Sequence, residues 1–245
     1  MDNAIFVALS RQMVLRREMD IVANNIANAD TVGFKVEALM VKTDAMRSAS
    51  TAQGPKAISF VVADGVARDF GQGQLRRTDG PLDMAVEGEG FFKLTTPEGE
   101  RFTRDGRFRT DEVGKLVSHG GATVADEGGS EIVVDPKLGQ VSVSQDGTVT
   151  QNGQRVGKIG VFTFDSLSVL SKVGDNLLEN TSNLPAKASE DAKVRQGMLE
   201  GSNVKPILEI ARMIEVSRAY ESTAKLMDSE TDLQRRTIER MGKVQ

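Results

Sequence analysis

Four carboxylates crowd one short stretch of this chain: Asp79, Asp83, Glu87 and Glu89. Two such groups at the right separation do acid and base work on a glycosidic bond, and a tighter set of oxygens holds calcium. Asp83, Glu87 and Glu89 share parity along a stretch that reads as a strand, so all three fall on one outer face. A solvated face uses the same residues without chemistry, and the pattern favours it. His119 is the sole histidine, and cysteine is absent. Zinc sites of the usual ligand types, and Ser-His or Cys-His nucleophile systems within one chain, are thereby nearly excluded. His119 precedes Gly120-Gly121 and reads as a surface-loop residue.

Other candidate motifs are weaker. Gly88-Glu89-Gly90 looks like part of a phosphate loop, but it lacks the third glycine and a following helix. Gly153 and Gly157-Lys158 are spaced by three residues rather than four, and Ile159 stands where Ser or Thr would bind magnesium. Asn180-Thr181-Ser182 matches a glycosylation sequon without supporting context. The Arg76-Arg77 and Arg235-Arg236 pairs are isolated and read as solvated faces. The expectation is no catalytic residue, no metal and no cofactor.

The bulk numbers point the same way. The chain has 245 residues and a formal net charge of -4, with no basic excess to attract nucleic acid or an anionic membrane. It has no Trp and one Tyr, a poor supply of stacking platforms for single-stranded nucleic acid. No stretch approaches the roughly 18 apolar residues of a membrane span, so no membrane insertion is expected. The opening Met1-Asp2-Asn3 lacks a positive n-region, and the apolar run Ala4 to Leu9 is followed by no cleavage site. The expectation is a chain that stays in the cytoplasm or leaves by a route that reads no cleaved signal.

The elements divide into three kinds. From Asp2 to Asn28 there is no Gly or Pro, and Met1, Ile5, Ala8, Gln12, Leu15, Met19, Val22 and Ile26 alternate at spacings of four and three. That is a heptad seam on a helix, which Asp30, Thr31 and Gly33 then stop. A second helix starts at Pro206 and runs without Gly or Pro to Met241. Ile210, Met213, Ser217, Tyr220, Ala224, Met227, Thr231, Gln234, Ile238 and Met241 form its seam. Between Pro81 and Phe164 short apolar runs are broken by Glu98-Gly99, Asp105-Gly106, Gly120-Gly121, Gly128-Gly129, Asp146-Gly147 and Asn152-Gly153. Such spacing predicts an antiparallel β region.

The predicted fold class is α+β: long N- and C-terminal helices paired as a coiled-coil-like domain, with a central antiparallel β-rich domain. The expected boundaries are a first helix over 1–30 and a connector with extended segments over 31–80. A β-rich domain follows over 81–181, then a return connector over 182–205 and a second helix over 206–245. The small, polar stretch Ser48 to Gln53 marks the first connector. A single helical seam buries too little apolar surface to offset the entropy of ordering its backbone, so the first helix is expected to need several neighbouring helices. An ordinary internal hairpin, or a closed coiled-coil dimer in a binding module, would use the same pattern.

Ala23-Asn24-Asn25-Ile26-Ala27-Asn28-Ala29-Asp30-Thr31-Val32-Gly33-Phe34-Lys35 closely resembles the N-terminal signature of flagellar rod and hook proteins. Gly80-Pro81-Leu82-Asp83-Met84-Ala85-Val86-Glu87-Gly88-Glu89-Gly90-Phe91-Phe92 and Phe102-Thr103-Arg104-Asp105-Gly106 are similar to that family's central region. Leu199-Glu200-Gly201-Ser202-Asn203-Val204, followed by Met213-Ile214-Glu215-Val216-Ser217-Arg218-Ala219-Tyr220-Glu221, resembles its C-terminal signature. Asp30 departs from the common Asn or small residue, and Val32 from the common Thr. The opening residues resemble the proximal-rod branch, with the distal rod and hook proteins as sister alternatives.

The resemblance implies a non-enzymatic, structural subunit of the bacterial flagellar rod in the periplasm, transmitting torque. It implies export without a cleaved signal through the flagellar type III apparatus, followed by helical polymerisation. The implied partners are copies of itself and other rod proteins, namely the distal rod protein and proximal neighbours. The expected assembly interface sets Ile5, Leu15, Met19, Val22 and Ile26 against Met213, Tyr220, Met227, Ile238 and Met241. The motif residues Asn24, Asn25 and Asn28 are expected to bond the turn leaving the first helix, with Gly33 supplying backbone freedom before Phe34. From another class, a carbohydrate-active enzyme using the carboxylates from Asp83 to Glu89 is the rival.

Overall fold

A computed structural model describes residues 2–46, 58–135, 137–182, 184–189 and 191–242. Met1 of the first seam and the Ser48–Gln53 stretch lie outside the described residues. The chain is α+β, with a helix at each end and antiparallel strands between. It divides into two units. One contains residues 1–27, 37–69 and 205–245, and the other residues 28–36 and 70–204.

In the helical unit, α1 (Asp2–Ala27) and α2 (Pro206–Met241) accompany a long hairpin, β1 (Glu37–Met46) and β2 (Ile58–Arg68). The hairpin is antiparallel, from Glu37 opposite Arg68 to Met46 opposite Ile58, with a bulge between Met40 and Val41. An ion pair of 2.8 Å from Arg68 Nε to Glu37 Oε1 ties its open end. Residues 31–80, read from sequence as a connector with extended segments, thus supply a hairpin that packs on α1. That neighbour explains the buried surface of α1. Ala8, Leu15 and Val22 form one stripe, and Val14 and Ile21 form a second beside it. A helix covered by one partner needs only one stripe; α1 touches both α2 and the hairpin.

The buried seam of α2 differs from the sequence reading by one position. Met213, Tyr220, Met227 and Gln234 are partly covered, as the heptad requires. The fully buried residues between them are Val216 and Thr223, not Ser217 and Ala224. The Thr223 hydroxyl donates to the Ala219 carbonyl at 2.9 Å, which satisfies it inside the helix and lets it be buried.

In the β unit the largest sheet runs through Leu170–Gly174, Leu177–Asn180, Gly99–Thr103, Phe91–Thr96, Thr123–Val124, Leu116–Ser118 and Phe108–Thr110 in spatial order. Asn152 and Gly153 both take positive φ, 49° and 76°, in the tight turn between Thr148–Gln151 and Gln154–Lys158. Asp175 and Asn176, at 46° and 57°, turn a further hairpin without glycine at either position. Residues 182–205, read as a return connector, contribute Lys193–Gln196, paired with Met84–Glu87, and Met198–Glu200, paired with Leu75–Arg77. Adjacent Phe91 and Phe92 point to opposite faces and seed two cores. Phe92 meets Phe108 edge to face at 5.1 Å, and Phe91 meets Phe70 at 5.6 Å.

Candidate functional site: a buried charge cluster and the terminal helices

Glu200 is wholly buried, at 0% exposure, and its carboxylate collects donors from three other places in the β unit. Lys35 Nζ donates to Oε1 at 2.6 Å, and the Gly73 N–H donates to the same oxygen at 2.8 Å. Arg104 Nη1 donates to Oε2 at 3.0 Å. Lys35 also reaches the Gly71 carbonyl at 2.8 Å, and Arg104 Nη2 the Gly88 carbonyl at 2.7 Å. The guanidinium lies 5.3 Å from the centre of the Phe91 ring. Burial pulls the Arg104 pKa down, while the Glu200 carboxylate opposes that shift.

Backbone bonds fix the same junction. The Gly33 N–H donates to the Glu200 carbonyl at 2.8 Å, and the Val36 N–H donates to Asn203 Oδ1 at 2.8 Å. Gly33 sits at φ +70°, and a Cβ there would lie 2.6 Å from both the Arg104 carbonyl carbon and the Asp105 nitrogen. Only glycine fits both the dihedral and the space. Phe34 is buried, with Lys172 Nζ 4.8 Å from its ring centre. Asn28 Oδ1 accepts from the Thr31 hydroxyl at 3.1 Å, within the turn that follows α1.

In the helical unit, Asn25 is buried and spends its amide on other elements. Nδ2 donates to the Glu37 carbonyl at 2.7 Å and to Glu209 Oε2 at 2.9 Å, and Oδ1 accepts from the Glu37 N–H at 3.0 Å. The expectation that this amide bonds the turn is therefore corrected: it holds the start of β1 and the first turn of α2. Asn24 is exposed. Arg212 Nη2 pairs with Glu18 Oε1 at 2.6 Å. This pair and the Asn25–Glu209 bond run in opposite order along the two helices, so α1 and α2 are antiparallel.

Among the expected interface residues, Leu15 and Val22 are buried, and Ile5, Met19, Ile26, Met213, Tyr220 and Met227 are half-buried. Ile238 and Met241 are 70% and 75% exposed. Among the described residues neither meets the first seam, because α2 has 36 residues and α1 has 26. From the Asn25–Glu209 tie, α1 ends opposite about residue 230, and the last turns of α2 continue about 15 Å beyond it.

The carboxylate run does not share a face. The strand Met84–Glu87 is covered on both sides, and Gly88 at φ +98° breaks the alternation before Glu89. Arg195 Nε bonds Glu87 at 2.6 Å and holds its pKa below the usual carboxylate range, the opposite of what a general acid needs. Asp83 accepts from the Thr78 hydroxyl at 2.7 Å. His119 is exposed in the turn between Leu116–Ser118 and Thr123–Val124. Gly157-Lys158 lies on a strand, with no helix N-terminus to cradle a phosphate. Sequence reasoning quoted Lys35, Arg104 and Glu200 only as parts of motifs and missed them as a cluster. Lys35 and Arg104 lie two residues from Gly33 and Gly106, and Glu200 is next to Gly201; at each of these glycines a Cβ would crowd another segment's backbone, which is the available signal.

Fold and cluster together define a structural protein, whose most elaborate polar constellation holds chain segments to one another. Three family models match: "Flagella basal body rod protein" over residues 5–35, "Flagellar hook protein FlgE/F/G D1 domain" over 85–151, and "Flagellar basal body rod FlgEFG protein C-terminal" over 195–240. Lys35, Arg104 and Glu200 fall one in each. The chain is 54% identical to the flagellar basal-body rod protein FlgF of Caulobacter vibrioides over 244 residues, covering 100% of both. It is 39% identical to FlgF of Mesorhizobium japonicum, covering 99% of both, and 27% identical to FlgG of Bacillus subtilis, over 94% of this chain and 96% of that one. The chain belongs to the flagellar basal-body rod protein family, and it resembles the FlgF members from end to end. It is a structural subunit of the rod in the flagellar basal body, and not an enzyme.

Proposed function

We propose that copies of this chain polymerise helically through their terminal helices to form part of the periplasmic drive shaft, in the proximal rod. The observation that carries this reading is the uncovered end of α2. Ile238 and Met241 prolong a heptad seam past the point where α1 stops, and they stand in solvent. Ile207, Ile210 and Ile214, spaced three and four apart, form a second exposed stripe at the opposite end of the same helix. Patches so far apart on one helix cannot close on each other within one copy. Contacts between unlike patches of successive copies build open helical arrays.

In this reading α1 and α2 pair in coiled-coil fashion, and neighbouring copies complete the seams of Ile5, Leu15, Met19, Val22, Ile26, Met213, Tyr220, Met227, Ile238 and Met241. The helices would line the tube. Other rod proteins, a distal rod protein and proximal neighbours, are the further partners. The chain would reach the periplasm through the flagellar type III apparatus without a cleaved signal. An Ile26→Asp substitution tests the seam. The expected result is loss of swimming and absence of the chain from isolated basal bodies, with the β unit still protected from hydrogen exchange. Normal swimming would overturn the proposal.

A further inference from the structure

We propose that Asn152 is a deamidation site that the folded β unit holds closed: its turn blocks the reaction, and a chain whose β unit stays open loses the ability to close it. Asn152-Gly153 is the one Asn-Gly pair in the sequence. Glycine has no side chain to shield its backbone nitrogen, so that nitrogen can attack the amide carbon of the residue before it. The Gly153 nitrogen gives its proton to water and bonds to Asn152 Cγ. The bond from Cγ to the side-chain nitrogen breaks, and ammonia leaves with a proton from water. Water then opens the resulting cyclic imide at either carbonyl. One opening gives an ordinary aspartate. The other gives isoaspartate, in which the main chain runs through the side-chain carbons.

Side chains do not shield this pair. Asn152 and Gly153 are both exposed, and a Cβ at Gly153 would meet nothing within 4 Å. The backbone is what blocks the reaction. Gln151 pairs with Gln154, and φ of 49° and 76° at the two residues between them make a type I′ turn. That turn holds ψ at its first central residue near roughly +30°, so the Gly153 nitrogen points away from the Asn152 side chain. Ring closure needs that nitrogen swung round beside Cγ, which pulls Gln151 from Gln154. The rate therefore follows the population of the opened hairpin. The two products return differently. An Asp-Gly pair suits the same turn. Isoaspartate lengthens the main chain inside a two-residue loop whose length fixes the strand register. Much depends on that register. Val149 is 0% exposed in the larger core. Gln151 accepts from the Asp135 N–H at 3.0 Å and donates to the Asp135 and Gly139 carbonyls at 2.6 and 3.1 Å. A slipped strand withdraws both residues from these places.

The full-length chain tests this in mildly alkaline buffer, folded in one sample and unfolded by guanidinium in another. Conversion at residue 152 is followed by peptide mass and by the separate elution of the aspartate and isoaspartate forms. Conversion is expected in the unfolded sample, and at a rate lower by about tenfold or more in the folded one. After guanidinium is removed, chains carrying isoaspartate are expected to stay unprotected from hydrogen exchange over residues 148–158. An Asn152→Asp variant taken through the same cycle is expected to regain the protection of the parent. Equal rates in the two samples, or no conversion in the unfolded one, would overturn the proposal. So would isoaspartate chains that recover parental protection, or an Asn152→Asp variant that does not.

Discussion

In the β unit Phe91, Phe92, Phe102 and Phe108 are shut inside two cores, while in the helical unit Phe6, Met13, Ile207, Ile210 and Ile238 stand in solvent. Both units leave some apolar side chains outside. In the β unit they are scattered on loops, as with Val113, Leu138 and Leu184, which is ordinary for any globular surface. In the helical unit they recur at helical spacing, which makes stripes. Polar groups divide the other way. The β unit shuts a charge cluster away and surrounds it with donors and acceptors, whereas in the helical unit the Arg212–Glu18 and Arg68–Glu37 pairs both keep some contact with solvent. The β unit keeps its largest apolar side chains inside; under the proposed assembly, the stripes of the helical unit are surfaces that neighbouring copies cover.

Substitutions sharpen this contrast, starting with those that should do most damage. Phe92→Ala removes a fully buried ring from the larger core and is expected to cost about 3–5 kcal/mol, read as a lowered urea midpoint of the sheet. Gly33→Ala acts on the same unit through the backbone. It must occupy φ +70° and push against the main chain at Arg104 and Asp105, with an expected cost of about 2–4 kcal/mol. A melting temperature within a degree of the parent would mean that the 28–36 turn is not part of the cooperative sheet. In the helical unit, Asn25→Ala leaves the Glu37 backbone groups without their amide partner, at about 1–3 kcal/mol. Its signature is local: faster exchange at the start of β1 and the first turn of α2. Loss of protection confined to residues 84–103 would contradict the assignment of that amide.

Much of this contrast is legible in the sequence, and the gaps have physical causes. Absence of Gly and Pro marks α1 and α2 to within a residue or two. The α2 seam is ambiguous because a four-three and a three-four alternation share every seventh residue. Met213, Tyr220 and Met227 belong to both, and only burial distinguishes Val216 from Ser217. Extended segments are legible within 31–80, but their pairing as the β1–β2 hairpin is not, because the bulge at Met40 and Val41 shifts the alternation that marks a strand. The charge cluster escapes for a different reason. Charged residues read as surface by default, and nothing local reports that Lys35, Arg104 and Glu200 converge from three segments. The resemblance at those segments marked the right residues without saying that they touch.

The smallest expected effect on stability belongs to the substitution with the most to say about assembly. Ile238 is 70% exposed on turns of α2 that have no α1 beside them. Ile238→Asp changes a side chain that stands largely in solvent, and Asp costs the helix only a few tenths of a kcal/mol in propensity. The purified variant should therefore melt within about 0.5 kcal/mol of the parent. A carboxylate in a seam that another copy must cover is a different matter, because desolvating it costs several kcal/mol. Swimming should fail and the chain should be missing from basal bodies, although the isolated protein is unchanged. The same replacement at Ile132, buried in the β core, should unfold its unit outright and so lose function for an ordinary reason. Swimming that survives Ile238→Asp would mean that the last turns of α2 stay solvated in the rod, and that its seam ends where α1 does.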